Sequence, residues 1–85
     1  MTASLADEGA TYRIRVQGRL EPLWGARLGD LALAVHDGSG QAVTDLTGWI
    51  VDQAALMGVL EKLYTLGVTL LNVERVNEDV SGNGR

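Results

Sequence analysis

Cysteine is absent from this chain, which excludes disulfides and thiolate metal sites. Histidine occurs once, as His36, so no histidine pair is available to a metal. Proline also occurs once, as Pro22, and phenylalanine not at all. No run of about 18 apolar residues exists, so no segment is predicted to cross a bilayer as a helix. Met1–Ala10 holds Asp7 and Glu8, no base and no long apolar stretch. It does not read as a secretory signal, and a cytoplasmic location is expected.

Positive charge is not in excess either. The net charge is −4, and much of it sits at the ends: residues 1–10 carry −2 and residues 77–85 carry −1, leaving −1 for residues 11–76. A nearly neutral domain has no general drive toward nucleic acid or anionic lipid.

What is present fits a folded chain. Hydrophobic residues make up 46% of the 85 positions, enough for one core and too few residues for two. A domain this small has only about 5 kcal/mol of stability in hand. Without disulfides or thiolate metal sites to add to it, self-association becomes the expected support. Residues 1–10 and 77–85 are small, polar and Gly/Ser-rich toward the end, and are expected to be flexible tails flanking one domain at 11–76.

Within that domain the hydrophobic period changes from two to 3.6 and back. Tyr12–Leu20 alternates, with Tyr12, Ile14, Val16, Gly18 and Leu20 on one side and Arg13, Arg15, Gln17 and Arg19 on the other, which predicts a half-buried strand. Pro22 ends it. Leu23–Gly29 carries Trp24 and Leu28 at helical spacing, but Gly25 and Gly29 limit it to one or two turns. Leu31–His36 predicts a second strand with Leu31, Leu33 and Val35 inward and Ala32, Ala34 and His36 outward. Asp37-Gly38-Ser39-Gly40 is a turn, returning through a strand at Gln41–Thr47 whose inward set Asp45 interrupts.

The clearest element is a helix over 53–66. Leu56, Val59, Leu60, Leu63 and Leu66 form its apolar stripe, Asp52 suits the N-cap and Gly67 the C-terminal cap. Gly58 inside it costs about 1 kcal/mol relative to Ala, which points to close packing. Val68–Val76 is the last strand, with Leu71 and Val73 expected toward the helix and Leu70, Asn72 and Glu74 on the opposite face.

The order strand, short connection, strand, strand, helix, strand predicts an α+β domain: a four-stranded, mostly antiparallel sheet with one long helix on one face. This is a ferredoxin-like split βαβ with a degenerate first helix. First and last strands are then neighbours, and Arg13 or Arg15 can pair with Glu74. The face away from the helix carries Arg13, Arg15, Arg19, Ala32, Ala34, His36 and Leu70. This flat, mixed surface is the expected docking face.

The segments Y-R-I-R-V-Q-G-R-L, V-D-Q-A-A-L-x-G-x-L and L-G-V-T-L-L-N-V-E-R-V, with a lone Trp between the first two, resemble a group of small uncharacterised bacterial proteins. The resemblance spans roughly residues 12–76, and its most specific part is V-D-Q-A-A-L at 51–56. No established activity, cofactor or catalytic residue comes with it. Trp49 stands where that pattern has Pro, and Met57 where His is common.

Candidate chemistry is thin. His36 beside Asp37 or Asp45 has the elements of an acid–base pair, but a strand-end histidine beside a turn is the plainer reading. Asp37, Asp45 and Asp52 match no calcium loop and read as turn former, strand-end residue and helix cap. Gly38-Ser39-Gly40 lacks the lysine and helix of a phosphate loop. The arginine row lacks the aromatics on which bases stack. Trp24 and Trp49 read first as core-edge packing. Met57 and Tyr64 either widen the helix's buried face or form a subunit contact.

The favoured expectation is therefore a protein-interaction module, pairing with itself or with another protein, without cofactor or metal; an enzymic activity resting on His36 is the less favoured reading. The alternative is a small-molecule-sensing regulatory domain, with ligand near the Gly38–Gly40 turn or the Asp52 helix start.

Overall fold

The computed structural model describes residues 9–37 and 40–76; residues 1–8 of the expected tail at 1–10, the expected tail at 77–85, and Gly38-Ser39 of the expected turn lie outside these. Six elements follow in order: β1 Ala10–Gln17, α1 Leu23–Arg27, β2 Ala32–His36, β3 Val43–Ile50, α2 Gln53–Leu66 and β4 Thr69–Val76. The sheet runs β2-β3-β1-β4, with every neighbouring pair antiparallel. That is the strand order of the split βαβ arrangement, with β1 and β3 central.

The core lies between α2 and one sheet face. Ile14 and Val16 of β1 and Leu46 of β3 are fully buried, and Leu56, Val59 and Leu63 of α2 close over them. Burying side chains of this size contributes about 1.5–3 kcal/mol each. Both helix ends are defined by chemistry. The Asp52 carboxylate accepts from the Ala55 amide at 2.8 Å. Gly67 takes the left-handed conformation at φ 84° and donates its amide to the Tyr64 carbonyl.

Several boundaries differ from the sequence reading, at β1 and β3 above all. β1 starts at Ala10, whose side chain is buried opposite Ile50, rather than at Tyr12. It stops at Gln17 because Gly18 turns the backbone to φ 101°. The turned segment is held by buried Thr44, whose hydroxyl donates to the Gly18 carbonyl and accepts from the Leu20 amide. β3 runs on to Ile50, so Thr44, Leu46 and Ile50 face the core and Asp45 points the other way.

The short connection is a true helical turn. Gly25 is buried in it, and a side chain there would meet the Leu31 carbonyl oxygen at 2.3 Å. Only glycine permits so close an approach of backbone to backbone. Trp24 packs half-buried against the core, as read from sequence.

Candidate functional site

The face turned away from α2 is built from the outward residues of all four strands. Cross-strand register places Ala34, Asp45, Arg15 and Asn72 in one row, and Ala32, Thr47, Arg13 and Glu74 in the next. Ala32, Ala34, His36 and Arg15 are exposed. Among the described residues this face has no helix over it.

Its centre is a carboxylate. Asp45 is only 8% exposed although it lies on the open side. Arg15 covers it, donating from Nε to Oδ1 at 2.7 Å and from Nη2 to Oδ2 at 3.0 Å. The fork-on-carboxylate geometry is the strong form of this contact. His36 Nε2 lies 3.1 Å from Oδ2, and since an ionised carboxylate only accepts, that nitrogen carries the shared proton. The hydrogen bond from Arg15 is the largest reason that the Asp45 carboxyl lies below its ordinary value. Burial opposes it, while the charge of Arg15 and the contact with His36 add to it. The same hydrogen bond raises Arg15 above its usual value.

The other two arginines of the row are also paired. Arg13 Nη1 donates to Glu74 Oε2 at 2.9 Å, and Asn72 steadies the other oxygen of that carboxylate. The expected pairing of Glu74 with β1 is therefore made by Arg13, leaving Arg15 for Asp45. Arg19, just beyond β1, pairs with Asp37, just beyond β2. The three arginines thus meet three carboxylates, and the surface is neutral.

Three placements from the sequence need correcting. β4 carries a bulge: Arg15 pairs with Asn72 but Val16 pairs with Leu70, so Leu71 is the extra residue. Leu70 is thereby placed opposite buried Val16, on the helix side, and does not belong to the open face. Trp49 does not pack at the core edge; it is 63% exposed. Asp45, read as a strand-end residue, is mid-strand.

The histidine–carboxylate contact exists, but His36 is 57% exposed on a flat face. Neither it nor Asp45 lines the groove described next. Among the described residues no group of three or more His, Cys, Asp or Glu side chains converges on a metal position. No helix there is long and apolar enough to cross a membrane.

A groove of about 500 Å³ lies on the other side, between α1 and α2. Arg27 and Leu28 form one wall, and Gly58, Val59 and Lys62 form the other; the Trp49 ring lies on the open face of β3, beside Gly9. Little in the sequence announces it beyond Gly58 inside α2, because its lining comes from separate elements. The helix start named as an alternative ligand position is already capped by Asp52.

Fold and surface together define a small α+β domain of split βαβ order with one open sheet face. The chain belongs to the family described as a domain of unknown function, DUF8691, whose model matches residues 11–74. No curated protein and no solved structure matches it.

Proposed function

We propose that this domain is an interaction module in which a second copy of the chain docks on the open sheet face. The observation that carries the reading is the neutral, self-paired surface around Asp45. An identical copy meets no like-charge build-up there, and small Ala32 and Ala34 let two sheets approach. The same pairing argues against nucleic acid, since Arg13, Arg15 and Arg19 already spend their charge on carboxylates and leave little for phosphates.

The dimensions set the strength. Four strands about 4.8 Å apart and up to eight residues long make a face of roughly 25 by 20 Å. That falls short of the roughly 800 Å² per partner of a standard stable interface, which fits a transient rather than an obligate dimer.

Size-exclusion chromatography with light scattering from about 5 to 200 µM is the test. A mass moving from one chain toward two, and held at one chain by Ala34→Lys, is the expected result. Lys at position 34 sits beside Asp45 and spares the fold, but brings like charges together between copies. A single-chain mass at every concentration overturns the proposal.

A further inference from the structure

A second surface lies apart from the docking face. The groove between α1 and α2 has a volume of about 500 Å³, within the range of small-molecule sites. Its floor is apolar and firm: Leu28, Ile50 and Val59 line it and are buried, at 2%, 4% and 8% exposure.

Its charge is one-sided. Arg27 and Lys62 both line it, and no carboxylate does. Among the described residues neither makes an ion pair, whereas the arginines of the open face are each matched. Arg27 lies over the Trp24 ring at 5.6 Å, a contact that restrains its guanidinium.

Gly58 is the independent sign. It sits inside α2, where glycine weakens a helix relative to alanine. The expectation from sequence was close packing within the chain, yet a side chain at Gly58 would meet nothing within 4 Å. The fold itself does not require a glycine here. What the missing side chain leaves is room in the groove wall.

We infer that this groove binds a small amphipathic carboxylate, its apolar body laid along Gly58, Val59 and Ile50 and its carboxylate held by Arg27 and Lys62. The fork of Arg27 suits a planar carboxylate, and Lys62 adds a point charge. The groove holds roughly fifteen water-sized volumes, which accommodates an acyl chain of eight to ten carbons.

Octanoate is the probe, with octylammonium as the charge-reversed control, followed by amide and indole NMR shifts of the whole chain. Saturable shifts at Gly58 and Val59 with octanoate, and none with octylammonium, are expected. Arg27→Ala and Lys62→Ala each weaken binding by about tenfold, the loss of one charge-assisted contact. Gly58→Leu removes binding while leaving the melting temperature unchanged or higher. Equal response to octylammonium, no saturable shift up to about 10 mM octanoate, or shifts confined to the open sheet face overturn the inference. So do Gly58 signals that move on dilution without ligand, which place a second copy in the groove. If Gly58→Leu does not fold, the paired Arg27→Ala and Lys62→Ala result decides alone.

Discussion

Arg15 grips both oxygens of Asp45 across the β1–β3 pair, at 2.7 and 3.0 Å, and in doing so buries a carboxylate in the middle of an uncovered sheet face. The residues are direct cross-strand partners, so the contact also marks the register of the two central strands. Asp45→Ala removes the acceptor and leaves the fork of Arg15 free to reach water. Because Arg15 is half-exposed, the cost is about 1–2 kcal/mol rather than that of a fully buried pair. Urea unfolding at pH 7 measures it.

The pH dependence has a definite sign. The Asp45 carboxyl titrates lower in the folded protein than in the unfolded chain. Its contribution is therefore complete above the ordinary carboxylate value of about 3.9. It shrinks as pH falls below that and is gone once the folded group is protonated. Urea midpoints compared from pH 7 down to pH 2 are expected to fall more steeply for the natural protein than for Asp45→Asn. Parallel profiles contradict this.

The caps of α2 make a second, separable contribution. Asp52→Ala costs about 1 kcal/mol by orphaning the Ala55 amide, and Gly67→Ala costs about 1–2 kcal/mol by forcing a side chain into the left-handed region. The sites lie at opposite ends of the helix, so the double variant is expected to show the sum within about 0.5 kcal/mol. Chemical denaturation of the two single variants and the double variant checks it.

Adjacent residues on α2 have opposite fates. Leu63 is 2% exposed and Tyr64 is 82% exposed. Leu63→Ala is expected to cost about 2–5 kcal/mol, enough to unfold most of a domain this small. Tyr64→Ala is expected to stay within about 0.5 kcal/mol of the natural protein. Circular dichroism melts distinguish them, and equal losses contradict the orientation of the helix.

The helix was legible because its stripe of Leu56, Val59 and Leu63 is bracketed by a capping Asp and a left-handed Gly, both local signals. Strand order followed from the right-handed crossover and the hairpin turn. The facing of β4 was not legible. Leu70 and Leu71 are both apolar, so alternation alone fits either choice, and the bulge that decides between them depends on hydrogen bonding to β1. Asp45 misled for a related reason. A charge within a strand reads as an interruption until the register supplies Arg15 as its partner. The groove belongs to neither helix alone, and its clearest trace in the sequence was Gly58, an expensive residue for a helix interior.

The docking claim is tested most directly by isotope-filtered NOE spectroscopy on a mixture of labelled and unlabelled chains at about 200 µM. The account predicts contacts between copies from the methyl groups of Ala32 and Ala34 and from the His36 ring, all on the uncovered face. Contacts confined to Gly58 or the outer edge of β4, or none in a sample of single chains, contradict it.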